Sequence, residues 1–72
     1  MAERKEVSPQ YEQLLDTIIA KRKATGMSQK TLADKCKLPQ STIARMEAKL
    51  NVPSVETLLV ILAAMDCSLE IK

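Results

Sequence analysis

Residues 28–47 read SQKTLADKCKLPQSTIARME, and the spacing of their apolar residues predicts two short helices that cross at a steep angle. The apolar positions are Leu32, Ala33, Leu38, Ile43 and Met46. Ala33 is small enough to let the second helix approach the first closely, and Leu38 would fill the turn between them. Ile43 and Met46 are three residues apart, so they would turn one face of the second helix to the core.

The polar side chains left facing outward in this stretch are suited to binding DNA. They are Gln29, Gln40, Ser41, Thr42 and Arg45. Their amides, hydroxyls and guanidinium match the phosphate oxygens and base edges of a major groove. An ordinary solvated surface is the alternative interpretation for Ser41 and Arg45. Taken together, the apolar and polar positions indicate a helix-turn-helix motif.

At these residues the chain resembles the lambda-repressor-like helix-turn-helix family of Cro and Xre regulators, whose pattern is S/T-Q-x-x-L-A-x-x-x-G-V-S-x-x-x-I-x-x-x-E. The resemblance covers about residues 11–66. The matching positions are Gly26-Met27-Ser28-Gln29, Leu32-Ala33, Gln40-Ser41-Thr42-Ile43, Glu47, Pro53-Ser54 and Thr57-Leu58. The resemblance implies an all-α fold, a compact four-helix domain that contains the helix-turn-helix.

The resemblance also implies roles for individual residues. Gln29 would grip a phosphate and brace Gln40 at the start of the third helix. Arg22 and Glu47 would form a partly buried structural salt bridge between the first helix and the end of the third. From their positions on the third helix, Gln40, Ser41 and Arg45 are expected to contact base edges, with Thr42 a weaker candidate. Lys30 and Lys49 lie near helix ends beside the motif and, with Gln29, are expected to contact phosphates. Unpaired surface charge is the alternative for Arg22 and Glu47, and ordinary solvation is the alternative for each lysine.

The function that follows is sequence-specific binding of double-stranded DNA by a transcriptional regulator, a repressor that acts as a homodimer on a palindromic operator. One alternative is an antitoxin that also regulates its own synthesis, as in the branch of the family resembling HigA and HipB. Its partner would be a toxin protein, although no toxin-binding segment is identifiable in the chain. A second alternative is a protein-interaction module that binds its partner through the fourth helix.

The remaining sequence divides the chain into three parts. Residues 1–8 hold four charges and are predicted to be a flexible arm, residues 9–66 form the DNA-binding domain, and residues 67–72 form a tail or a dimerisation strand. Four helices are expected at about 9–25, 29–37, 40–49 and 55–66. The fourth is apolar on nearly every side and therefore requires burial. The residues expected at a dimer interface are Val60, Ala63, Leu69 and Ile71.

Two positions depart from the family pattern. Lys37 stands where the tight turn usually has glycine, and a side chain in the left-handed conformation costs about 1–2 kcal/mol. Pro39 replaces the usual Ser or Thr cap of the third helix. The start of that helix, and its angle in the groove, are therefore open.

Composition limits the other classes of function. The chain has 72 residues, a net charge of +2, two cysteines and no histidine. It lacks a glycine-rich phosphate loop, and Cys36 and Cys67 have no metal-ligand spacing, so no enzyme activity, metal or cofactor is expected. No apolar run is long enough to span a membrane and there is no secretory signal, so a cytoplasmic location is expected.

Overall fold

The structure is a computed structural model that describes residues 7–68. These residues form four helices, α1 (Pro9–Ala24), α2 (Gln29–Cys36), α3 (Gln40–Glu47) and α4 (Val55–Ala64). The all-α, four-helix expectation is confirmed. Most of the predicted arm and the predicted strand, with Leu69 and Ile71, lie outside the described residues.

Serine hydroxyls cap three of the helices at their amino ends. Ser8, the last residue of the predicted arm, accepts a hydrogen bond from the Tyr11 N–H at 3.2 Å. Ser28 caps α2 and Ser54 caps α4 in the same way. Pro39 precedes α3 and provides no side-chain cap, but its carbonyl accepts the Thr42 N–H at 3.0 Å. The absent serine therefore does not shift the start of α3, which is Gln40.

All four helices end in the same way, at a residue with a left-handed backbone followed by an apolar residue. The left-handed residues are Gly26, Lys37, Lys49 and Asp66, with φ between 57° and 76°. The apolar residues that follow them are Met27, Leu38, Leu50 and Cys67, and each donates its N–H to the carbonyl five positions back at 2.9 to 3.1 Å. This hydrogen bond closes the helix and turns the apolar residue back toward the core.

The left-handed residues correct two predicted boundaries. Helix α3 ends at Glu47 rather than near Lys49, and α4 ends at Ala64 rather than near Asp66. Lys49 and Asp66 both have positive φ, which is incompatible with a right-handed helix. Neither residue is glycine, so the usual signal for this kind of helix end was absent from the sequence.

We expect Lys37→Gly to stabilise the protein by about 1 kcal/mol, because glycine adopts φ near 58° without the steric cost that a Cβ imposes. The matched control is Lys21→Gly, which places glycine inside α1 and should destabilise by about 1 kcal/mol. Urea denaturation followed by far-ultraviolet circular dichroism measures both. Equal destabilisation by the two variants would contradict the left-handed geometry at Lys37.

The core lies between the helices, and α2 packs against both α3 and α4. Its buried residues are Leu15, Ile18, Leu32, Ala33, Cys36, Ile43, Met46, Leu58, Ile61, Leu62 and Met65. Ala33 is 1% exposed, as expected for a small residue at the crossing of two helices. The apolar side chains of this core thus hold the two helices of the motif in a fixed orientation.

A single copy buries only one side of α4. Leu58, Ile61 and Leu62 are buried, but a second set of apolar residues remains open to solvent, which we call the outer face. It consists of Val52, Val55, Leu59, Val60 and Ala63. Val55 is 67% exposed. Among residues 7–68, none of the helices has both the length and the hydropathy that crossing a bilayer requires.

Candidate nucleic-acid interface

The outward side of α3 carries the polar residues that were expected to read DNA. Gln40, Ser41 and Arg45 are exposed, and Thr42 is half-buried. Ser41 and Arg45 are one helical turn apart, so their side chains are neighbours on the surface. The opposite side of the helix holds Ile43, which is fully buried, and α3 is therefore fixed with this polar surface facing solvent.

A bidentate ion pair joins the end of α3 to the end of α1. The Arg22 Nε and Nη2 atoms donate to the Glu47 carboxylate at 2.7 and 2.9 Å. Arg22 also donates through Nη1 to the Met27 carbonyl at 2.8 Å. The Arg22 and Glu47 side chains are 9% and 8% exposed. The pair thus connects α1, the loop before α2 and the last residue of α3.

Gln29, the first residue of α2, belongs to the same network. Its Nε2 donates to Glu47 Oε1 at 3.1 Å. The resemblance implied that Gln29 would brace Gln40 instead, but within residues 7–68 no hydrogen bond joins these two side chains. Gln40 is exposed and Gln29 is half-buried. In this structure the end of α3, rather than its start, holds the Gln29 amide.

The two lysines expected on phosphates are each paired with a carboxylate. Lys30 Nζ lies 3.2 Å from Asp34 in an exposed pair within α2, which leaves Lys30 open to solvent. Lys49 Nζ lies 2.9 Å from Glu12 of α1, and the Lys49 side chain is only 20% exposed. A phosphate would therefore have to compete with Glu12 for Lys49. The sequence contained no local signal for this pair, because its members are far apart in the chain.

We expect Glu12→Gln to strengthen binding to duplex DNA if Lys49 contacts a phosphate, because the change releases the Lys49 ammonium and removes a nearby negative charge. Each additional phosphate neutralised should steepen the slope of log affinity against log salt by about 0.9. The cost in stability should be at most about 1 kcal/mol, as for other partly exposed ion pairs. Fluorescence anisotropy of a labelled duplex at several salt concentrations measures the change.

The control for Glu12→Gln is Glu56→Gln, which removes the negative charge of an exposed residue of α4 without releasing a lysine. It should leave the salt slope nearly unchanged. If Glu12→Gln and Glu56→Gln have the same slope as the native protein, Lys49 makes no phosphate contact.

The two cysteines are free thiols. Cys36 is buried in α2, and this burial raises the pKa of its thiol, so the thiol stays protonated at neutral pH. Cys67 is half-buried, and its Sγ donates to the Met65 carbonyl at 3.5 Å. Within residues 7–68, no three His, Cys, Asp or Glu side chains are grouped so that they could hold a metal ion.

Comparison with protein families supports the interpretation of α2 and α3 as a helix-turn-helix motif. A family model described as helix-turn-helix, of the Cro and Xre type, matches residues 18–72. The match therefore includes α2, α3 and α4 and the part of α1 that holds Arg22. Comparisons with curated proteins and with solved structures found no match.

Proposed function

The chain belongs to the helix-turn-helix family, whose members are DNA-binding regulators, and on this premise we propose that it is a sequence-specific repressor that acts as a homodimer on a palindromic operator. Helix α3 would enter the major groove, where Gln40, Ser41 and Arg45 would contact base edges. Thr42, Gln29, Lys30 and Lys49 would contact the flanking backbone. This function would be carried out in the cytoplasm, consistent with free thiols.

The exposed polar surface of α3 is the observation that carries this proposal. The major groove of B-form DNA admits one α-helix, and it displays a different set of donors and acceptors for each base pair. A glutamine amide makes two hydrogen bonds with adenine, and a guanidinium makes two with guanine. Since α3 is anchored through Ile43 and Met46, Gln40 and Arg45 would be presented to the groove on a rigid support.

The outer face of α4 supports the dimer. Its apolar residues include Val60 and Ala63, which the sequence had indicated, and add Val52, Val55 and Leu59. A second copy of this chain would cover the outer face, because a palindromic operator is two-fold symmetric and is read by a two-fold symmetric protein. One copy measures 32 × 31 × 22 Å. Two adjoining copies could therefore separate their α3 helices by about the 34 Å between successive major grooves.

The same outer face supports a second candidate, a module that binds another protein and not DNA. The two functions differ in their response to salt. Contacts between lysines or arginines and phosphates release counterions, so affinity for a duplex falls steeply as salt increases. Apolar contacts between proteins are much less sensitive to salt.

Titration of a labelled mixed-sequence duplex at increasing salt tests the proposal. A regulator should bind the duplex at low salt and lose affinity along a straight line in log salt, with a slope of about 0.9 for each phosphate neutralised. Absence of binding at low salt would overturn the proposal and favour the protein-interaction module. Sedimentation of the free protein tests the dimer, and a monomer both alone and on DNA would exclude it.

A further inference from the structure

We infer that Glu47 is a positioning residue for DNA binding, because its carboxylate holds the Gln29 amide in the orientation that meets a phosphate. This inference rests on the proposed function and deepens it. The Arg22 and Glu47 ion pair then has a second role besides joining α1 to α3. Neither Arg22 nor Glu47 would touch DNA.

The hydrogen bonds at Glu47 divide the carboxylate between two neighbours. Oε2 accepts from Arg22 Nε at 2.7 Å, while Oε1 accepts from both Arg22 Nη2 and Gln29 Nε2, at 2.9 and 3.1 Å. Arg22 is itself held by the Met27 carbonyl at 2.8 Å. Because the Arg22 and Glu47 side chains are buried and joined by two hydrogen bonds, Glu47 Oε1 is a fixed point of attachment for Gln29.

The Gln29 amide retains unused hydrogen-bonding capacity. A primary amide has two N–H donors and a carbonyl acceptor, and Glu47 uses one donor. No other side-chain hydrogen bond within residues 7–68 engages this amide, and Gln29 is partly exposed. The second N–H can therefore donate to a phosphate oxygen while the first stays on Glu47.

Arg22 makes this arrangement compatible with an anion. A lone carboxylate beside Gln29 would repel a phosphate, whereas the bidentate guanidinium cancels the Glu47 charge. The attachment also restricts the side-chain rotamers of Gln29 before DNA arrives. Fixing a flexible side chain in advance avoids an entropy cost on binding that corresponds to about a three- to tenfold gain in affinity.

The test replaces the pair by apolar residues of similar size, Arg22→Met together with Glu47→Leu. Such replacements usually preserve folding, because neither charge is left buried alone. If the pair only holds the fold together, this double variant should bind a mixed-sequence duplex as well as the native protein does. If Glu47 positions Gln29, the folded double variant should bind about three- to tenfold more weakly. Gln29→Ala should then weaken binding less in the double variant than in the native protein.

A second measurement does not require DNA. Nitrogen-15 relaxation of the Gln29 side-chain amide should show a restricted amide in the native protein and a mobile one in the double variant. Glu47→Gln provides a milder change that keeps one oxygen for Arg22 and none for Gln29, and it should also mobilise the Gln29 amide. Either native-like affinity or native-like amide relaxation in the folded double variant would overturn the inference.

The outcomes separate this inference from the proposed function. If the native protein binds no duplex, the proposed function fails, and the positioning role fails with it. If the native protein binds DNA and the folded double variant binds equally well, the regulator stands and only the positioning role is lost. Because phosphates carry no sequence information, the loss should be the same on an enriched operator as on a mixed-sequence duplex.

Discussion

Replacing Glu47 alone by leucine is expected to leave most molecules of the protein unfolded at room temperature. The change leaves the Arg22 guanidinium buried with only the Met27 carbonyl as a partner, and stranding one member of a buried ion pair costs about 3–5 kcal/mol. A domain of this size has a total stability of about 3–5 kcal/mol from its core. Loss of the pair therefore removes most of the free energy of unfolding.

Circular dichroism and urea denaturation measure this effect, and Asp34→Leu is its matched control. Asp34 pairs with Lys30 in an exposed ion pair, so its loss should change the free energy of unfolding by less than about 1 kcal/mol. Adding Arg22→Met to Glu47→Leu should restore folding. If Glu47→Leu is as stable as Asp34→Leu, the ion pair is not a determinant of the fold.

The second large effect is expected on operator binding. Changing Gln40 and Arg45 together to alanine should weaken binding to the preferred operator by about a hundredfold or more, because each bidentate base contact discriminates by about 1–3 kcal/mol. Both residues are exposed on α3, so stability should hardly change. Binding to mixed-sequence DNA should weaken far less, because only the Arg45 charge is lost there. Anisotropy titrations with both duplexes measure the two effects.

Two single variants of α1 control for these changes. Gln13→Ala removes an exposed amide and Lys21→Ala removes an exposed charge, both from α1. Neither should alter the ratio of operator affinity to mixed-sequence affinity. If the Gln40 and Arg45 double variant keeps the native ratio while it remains folded, α3 does not read base edges.

The positions of the helices were predictable because their boundaries have local causes. Ser28 and Ser54 cap helices through hydroxyls that the sequence displays, and Gly26 ends α1 with the residue best suited to positive φ. Lys49 and Asp66 end their helices in the same conformation without glycine, so the predicted boundaries extended too far. An apolar residue directly after each of them, Leu50 and Cys67, was the available signal.

The polar network of the candidate site was only partly predictable. A family pattern indicated that Arg22 and Glu47 would pair. Glu12, by contrast, pairs with Lys49 because tertiary packing brings α1 beside the loop after α3. Gln29 binds Glu47 rather than Gln40, a choice between two polar partners that the order of residues along the chain does not decide. The outer face had a visible signal in α4, where Val55, Leu59 and Ala63 recur at four-residue spacing.

Selection of bound sequences from a random duplex pool at near-physiological salt tests most directly whether this chain is a dimeric regulator that reads an operator through α3. The pool should become enriched in an inverted repeat whose half-sites have centres about 34 Å apart, one helical turn of DNA. Salt-sensitive retention of DNA without any enriched sequence, or no retention at all, would contradict this function.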